Sequence, residues 1–431
     1  MKYLYFENNL KIKFGYIFFY LGIFLLPSAV SISVLLLLVA SGLGFLIQEK
    51  QYLQDKWNFP FLIATAILII SSLFNSFFNN GLGNSNGIFD INSHIGLFNW
   101  VPFLFSFFGF QAYLKNANAR KKCSLLFLAG TLPVIFSIVG QTFLNLHGPF
   151  QTLNGLIVWY QRPIDGIMPI TGLFNNPNYL GSWLMIVWPF CLASCIQKNI
   201  SKFKKIISLI FLILIASSIL LSASRAAWLA FILSIPLILG IKKAKFFLPI
   251  FIFIVVLTLS IFIPIFGSNT QEFLKELIPI EIWSNFSPSN YANDISRFDI
   301  WHNSLSLIAK NPILGSGFSS FPNYLESQIG VWKGHSHNLI LELMTSYGIP
   351  AALLITIPFT LLIKSAFQKI FIYKNDFYQN IFERAWLISL ILLTLTHLFD
   401  VTYFDGRISI AGWILLAGVR NINKEKLLKN P

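Results

Sequence analysis

Lys202-Phe-Lys-Lys205, then IISLIFLILIASSILLS (206–222), then Ala223-Ser224-Arg225, is the stretch that decides the fold. The first piece is cationic, the second carries no charge, and an arginine opens the next apolar run. An uncharged apolar run of this length can cross a hydrocarbon core about 30 Å thick as a helix. Only a helix satisfies its own backbone polar groups there. Lysines retained at one end set the direction of crossing.

Comparable runs recur outward from this one, near 14–27, 28–47, 58–78, 96–114, 123–143, 178–197, 226–241, 246–266, 338–363, 384–400 and 408–419. The first two make a tight pair around Pro27. The 431 residues are 55% hydrophobic, 16% aromatic and 11% charged, whereas soluble proteins are roughly 25% charged. A soluble enzyme is excluded. The expected fold is an all-α, polytopic integral membrane helical bundle of about twelve transmembrane helices, a single unit over residues 1–431, with ten or eleven full spans as the competing count.

A formal charge of +14 raises a nucleic-acid reading, since basic surfaces attract phosphate. Its distribution excludes one. With both termini on the cytoplasmic side, all but seven of the 31 lysines and arginines fall inside, the seven being Arg162, Arg225, Lys275, Arg297, Lys310, Lys333 and Arg407. That is the positive-inside bias. The first run follows Lys11 and Lys13 without a small-residue cleavage site, so it reads as a retained helix. Cys123, Cys191 and Cys195 lie in or beside spans, which indicates neither a disulfide framework nor a metal site.

Three outward stretches are too long to be turns: 79–95, 144–177 and 267–336. The last is a large, partly helical loop. From Arg297 to Ala309 it places Phe298, Trp301, Leu305 and Ile308 at helical spacing, which predicts an amphipathic helix on the bundle or membrane surface. Asn311-Pro312 ends it.

Four of the seven outward cations are arginines, whereas lysine dominates inside. A guanidinium is a planar fork suited to phosphate or carboxylate, so the outward enrichment fits an anionic ligand. Arg225 opens a span with no long loop before it; the alternative is a snorkelling interfacial side chain. Arg297 opens the loop helix; the alternative is an ordinary charge paired with Asp294 or Asp299. Arg162 and Arg407 carry less weight, and Arg407, near Asp405 and Asp400, fits a structural ion pair. Lys333-Gly-His-Ser-His337-Asn338 brings His335 and His337 to the entrance of the tenth span. Histidine takes a proton near neutral pH, so this is the candidate base. The partners a zinc site needs are absent from the neighbouring sequence, and interfacial structure is the other alternative. Glu342 lies inside the span, where a carboxylate needs a partner; orienting His337, receiving Arg225, or bonding an Asn or backbone group are the options.

The arrangement resembles the O-antigen ligase and O-antigen polymerase superfamily of integral membrane glycosyltransferases, over about 170–360 and most strongly from Ser224 to Pro350. Four elements carry the likeness: Ser224-Arg225 opening a span; Arg297-x3-Trp301 leading to Asn311-Pro-Ile-Leu-Gly315-x-Gly317; His337-Asn338 followed by nine residues and Gly348; and Gly172 to Asn178 before the sixth span. The family's pattern after the histidine closes with Gly, Thr or Tyr where this chain has Ala351, a departure that bears on ligase identity more than on the superfamily.

The resemblance implies a metal-independent inverting glycosyltransferase without cofactors, in the bacterial inner membrane, with its site on the periplasmic face. His337 would be the base that deprotonates an acceptor hydroxyl. Arg225 and Arg297 would hold the pyrophosphate of an undecaprenyl-pyrophosphate-linked glycan donor, with Arg162, His335, Asn338, Glu342 and Arg407 in possible support. The acceptor would be lipid A-core for a ligase, a lipid-linked glycan for a polymerase, or a protein side chain for an O-oligosaccharyltransferase. Two rivals of other classes are a solute or bicarbonate transporter, for which His397 is the mid-span polar candidate, and a structural scaffold of an export complex.

Overall fold

The computed structural model describes residues 2–48, 51–78, 94–164, 169–240, 267–277, 295–373 and 380–425, with Pro249, Val256 and Ser260 as isolated positions. The span expected near 246–266, most of the loop 79–95, and Asp294 lie outside the described residues. Among the described residues the regular structure is all helical apart from one small hairpin. In chain order the helices are α1 (Lys2–Leu25), α2 (Val30–Gln48), α3 (Asn58–Phe78), α4 (Val101–Phe110), α5 (Ala117–Gly130), α6 (Leu132–Phe143), α7 (Pro177–Ile196), α8 (Lys202–Leu221), α9 (Arg225–Leu239), α10 (Ser268–Leu277), α11 (Arg297–Lys310), α12 (Ser320–Ile329), α13 (Leu339–Tyr347), α14 (Ile349–Phe367), α15 (Ile381–Thr396) and α16 (Gly406–Lys424). The hairpin strands β1 (Phe150–Thr152) and β2 (Ile157–Trp159) pair antiparallel.

Among the described residues six helical segments are long and apolar enough to cross a bilayer: 30–48, 58–77, 117–143, 177–196, 202–221 and 349–372. The protein is thus a multi-pass membrane protein. The apolar run behind Lys202 and Lys205 is α8, whose outer face, including Phe203, Ile206, Ile210 and Ile213, is exposed, as lipid requires. α7 is the opposite case: its side chains from Leu180 to Cys191 are almost all buried, with Trp183 and Phe190 against Phe127 and Trp386. It is the central post.

Polar contacts gather in two sets. Arg120 pairs with Glu383 and Glu425, and Arg420 and Lys424 meet Asp55 at 2.8 and 3.0 Å. The other set joins Asn178, His337 and Asp400. Each set unites segments that the charge count puts on one side of the membrane.

The structure departs from the sequence reading in two places. The run 338–363 has the hydropathy of one span, yet it is two helices broken at Gly348, which has φ +87°. Hydropathy is continuous across the break, but Gly348 ends one helix and Pro350 opens the next, as glycine after and proline at the start of helices do, and tertiary contacts add to this local signal. The turn 311–317 hydrogen-bonds into it: Ser316 N–H donates to Thr345 O at 2.8 Å, Gly317 N–H to Ser346 O at 3.1 Å, and Ile349 N–H to Pro312 O at 2.8 Å. The approach is so close that a Cβ on Gly348 would stand 2.1 Å from Ile313 O, and one on Gly315 2.5 Å from Tyr347 N. Glycine is required by space and by φ together. Secondly, the loop helix α11 forms as expected, but it covers only part of the stripe Phe298, Trp301, Leu305 and Ile308, with Ile308 buried and Trp301 half-buried. Its covered face is Ile300, Ser304, Leu307 and Ile308. Phe298 and Leu305 stay exposed, because α12 packs from the side and offers Phe321, Tyr324 and Leu325 to the other stripe.

Candidate active site

A cavity of about 680 Å³ is lined by Arg225, Arg297, Asn178, Ser224, Thr396 and Asp400, among others. Local structure explains how each arrives. Ala223, at φ +50°, turns the chain sharply between α8 and α9, so Arg225 stands at a helix tip instead of within a span. Arg297 likewise opens α11, whose cap is Ser296: the Ser296 hydroxyl accepts from Asp299 N–H at 3.2 Å and donates to Asp299 Oδ2 at 2.6 Å. Asp299, a sequence candidate for pairing with Arg297, is therefore engaged by the cap. Both guanidinium groups occupy helix N-termini, where unsatisfied N–H groups and the macrodipole add to the attraction for an anion.

His337 and His335 form a second cluster. Ser336 between them donates its N–H and its hydroxyl to Glu342 Oε2, each at 2.9 Å. Asn338 caps α13, its Oδ1 accepting from Ile340 and Leu341 N–H at 2.9 and 3.1 Å while its Nδ2 donates to Leu398 O at 3.2 Å. Anchored on both sides, His337 is held at φ +52°, a conformation that costs a non-glycine residue roughly 1–2 kcal/mol. Glu342 thus fixes the loop through Ser336. Of the sequence options it takes the backbone one, and the Ser336 hydroxyl is a partner the sequence reading did not offer.

The hydrogen bonds specify tautomers. His337 N–H donates to His335 Nδ1 at 3.2 Å, so His335 Nδ1 is an acceptor and its proton sits on Nε2, 3.6 Å from Asp400 Oδ1. Burial pushes His335 down to about 4, outweighing the pull of Asp400, with His337 and Arg297 acting the same way. It is neutral near pH 7. His337 Nδ1 lies 3.2 Å from the same Oδ1, where the ionised carboxylate requires it to donate. That leaves His337 Nε2 with a lone pair, the configuration of a general base held by a carboxylate.

Asp400 is the residue sequence reasoning missed as a site member. Its place in the chain suggests Arg407 as a partner, but Oδ1 accepts from His337 Nδ1 and from Val401 N–H at 2.9 Å, and Oδ2 accepts from Asn178 Nδ2 at 2.8 Å. Burial acts to raise its pKa, yet the His337 hydrogen bond, both imidazoles and the Val401 amide together hold the carboxyl below the usual carboxylate range. Asn178 comes from the Gly172–Asn178 segment, whose Asn176 caps α7. The signal that could have flagged Asp400 is its own setting, a carboxylate at the end of an apolar run.

The remaining candidates sort by position. Arg407 bonds Asp405 through Nε at 2.8 Å, reaches Leu173 O through Nη1 at 3.4 Å, and lies 4.0 Å over the Phe174 ring. It is buried in a local ion pair. Arg162 is exposed, while its carbonyl and N–H bond Gln141 and Thr171. Neither it nor His337 is among the residues that line the cavity; His337 reaches it through Asp400.

His335, His337 and Asp400 also offer ligand atoms within 4.8 Å of one another, a grouping able to hold a metal ion. The tautomers oppose it. A metal on His335 Nε2 needs the proton moved to Nδ1, which breaks the bond from His337 N–H, and a metal on His337 Nδ1 displaces the proton given to Asp400.

Residues 210–356 match the family model described as O-antigen ligase. This supports the O-antigen ligase and polymerase superfamily. The matched stretch takes in Arg225, Arg297, His335, His337, Glu342 and Gly348, and stops short of Asp400. No curated protein matches the chain.

Proposed function

We propose that the protein is a glycosyltransferase of the periplasmic face of the bacterial inner membrane, both termini cytoplasmic, moving a glycan from undecaprenyl pyrophosphate to a hydroxyl acceptor. The observation that carries this is that Arg225 and Arg297, from separate helices, line one cavity with Asp400, and Asp400 accepts from His337. His337 Nε2 takes the proton of the acceptor hydroxyl, the oxygen attacks the anomeric carbon, and the bond from that carbon to the diphosphate oxygen breaks. The polyprenyl diphosphate departs with inverted configuration left at the sugar. Arg225 and Arg297 stabilise the charge that develops on the leaving group, and no metal ion takes part. The residual Asp400 charge favours the imidazolium that forms.

Lipid A-core is the acceptor of first choice, making the protein an O-antigen ligase. Deleting the gene and resolving lipopolysaccharide on a gel tests this: a ligase loss removes long and short O-chains alike. Single-repeat material left behind identifies a polymerase, an unchanged pattern with loss of glycoprotein identifies a protein O-oligosaccharyltransferase, and no glycan phenotype at all defeats the proposal.

A further inference from the structure

From Cys123 to Gln161 the chain holds no aspartate, glutamate, lysine or arginine. The first part of this stretch belongs to the membrane-crossing segment 117–143. On α6 Leu132, Phe136, Val139 and Phe143 recur at helical spacing and are all exposed, so they form one apolar face turned away from the bundle. In a segment that crosses a bilayer, acyl chains cover such a face. The stripe does not stop with the helix. Phe143, its last residue, is 78% exposed, and Leu144, Leu146, Phe150, Leu153 and Leu156 follow, all exposed, through β1 and the turn that joins it to β2. A contiguous set of large apolar groups marks an interaction surface. Soluble chains are roughly 25% charged, whereas this loop reaches Arg162 before its first charge.

The hairpin is fastened to the ends of two membrane-crossing segments. Leu146 N–H donates to Gly140 O at 3.1 Å, and Gln161, just past β2, accepts from the Ser137 hydroxyl at 2.6 Å while its Nε2 donates to Leu146 O at 2.8 Å. Ser137 lies six residues before the end of α6, or about 9 Å back along a helix. The root of the hairpin is therefore folded down beside the last turns of the span, level with Phe136 and Val139. On its other flank Trp159 Nε1 donates to Ser28 O at 2.8 Å, and Ser28 stands two residues before α2, the membrane-crossing segment 30–48. Trp159 and half-exposed Tyr160 are the residue types enriched where a bilayer meets water. A lone two-stranded hairpin is marginal in water; this one lies against spans and keeps an apolar outer side.

We infer that the hairpin is an interfacial anchor, with Phe150, Leu153 and Leu156 seated in the boundary between head groups and acyl chains of the leaflet at that end of segment 117–143. Its partner is the lipid surface itself, because the stripe continues without interruption from a face that lipid covers, and it lacks the charged and polar rim that fixes the register of a protein partner. The inference stands apart from the transferase reading. It has a structural consequence all the same: Gln141 Oε1 accepts from Thr171 and Gly172 N–H at 3.1 and 3.0 Å, and Tyr160 N–H donates to Leu173 O at 3.3 Å. Those bonds join the hairpin root to the segment that brings Asn178 to Asp400, so the anchor sets the height of that segment against the membrane surface.

The full-length protein in nanodiscs containing a phospholipid with a diazirine near the head-group end of one acyl chain tests this. Carbene labelling of 150–156 is expected to exceed that of Glu326-Ser327-Gln328, an exposed polar stretch of α12, at least fivefold, and to approach that of 132–143. Leu153→Asn combined with Leu156→Asn is expected to cut the label on 150–156 at least fivefold and to leave 132–143 labelled as in the wild type, which also reports that the span folds. Wild-type labelling of 150–156 no greater than that of 326–328, or labelling untouched by the double substitution in a folded protein, overturns the assignment. So does loss of the lipid label, with chain-to-chain cross-links through 150–156, when two copies share one disc. The wild-type comparison decides by itself should the variant fail to fold.

Discussion

His337 and Asp400, 63 residues apart in the chain, meet through Nδ1 and Oδ1 at 3.2 Å. The carboxylate fixes which nitrogen of His337 holds a proton, and therefore which can take one. Replacing His337 by Ala is expected to lower glycan transfer by about 10²–10⁴-fold, the usual span for a positioned base, with membrane abundance unchanged. Near-normal transfer by purified variant, assayed with a lipid-linked donor, removes His337 from this role.

Asp400→Asn keeps the shape of the side chain and removes its charge. We expect slower transfer, because the imidazolium that forms as the acceptor proton is taken loses its counter-charge. Asn178→Ala, which frees only Oδ2, is expected to give a smaller change of the same kind. Transfer at the wild-type rate by purified Asp400→Asn, assayed with a lipid-linked donor, removes Asp400 from this role.

Arg225 and Arg297 separate charge from geometry. Alanine at either is expected to cost on the order of 10²–10³ in transfer, as for loss of one donor to a developing anion. Lysine keeps the charge but not the planar fork, so Arg225→Lys is expected to fall between wild type and Arg225→Ala, with the loss appearing in donor KM. Equal activity of the Lys and wild-type proteins argues against bidentate contact.

His335 gives a pH signature of stability. Its ordinary value of 6.5 is lowered to about 4 in the folded protein, so between those values the unfolded chain binds more protons and stability falls as pH drops. Thermal unfolding in detergent is expected to show this loss between pH 6.5 and 4 in the wild type and a shallower one in His335→Asn. Identical slopes refute the assignment.

Much of this architecture is legible in the residues alone. The apolar run of α8 and its lysine flank decide the class; of the arginines singled out, Arg225 and Arg297 line one cavity with Asp400 whereas Arg162 and Arg407 do not, and the paired histidines meet Asp400. The illegible parts depend on contacts between distant segments. Asp400 has a plausible local partner in Arg407, which takes Asp405 instead. Gly348 and Pro350 interrupt a hydrophobic run that any averaging window smooths over, and the turn 311–317 hydrogen-bonds into the gap they leave. On α11 two stripes of apolar residues are available, and α12 decides between them.

Gly348→Ala tests that break. At φ +87° and ψ 168° the backbone lies in a region open essentially to glycine alone, where alanine is expected to cost on the order of 1–3 kcal/mol, and the Cβ would press on Ile313 O, 2.1 Å away. A lower unfolding temperature and loss of transfer are expected together, since α13 begins at the histidine loop. An unaltered melting curve removes the turn from its bracing role.

The small cluster of Ile300, Leu307, Phe321, Tyr324 and Leu325 is a core of its own, apart from the main one. The arm that bears Arg297 therefore keeps its shape by internal packing, while Arg225 depends on the larger assembly in lipid. The arm is tethered by the turn 311–317 to α13 and α14, so any tilt of that helix pair carries Arg297 and the histidine loop along as one lever.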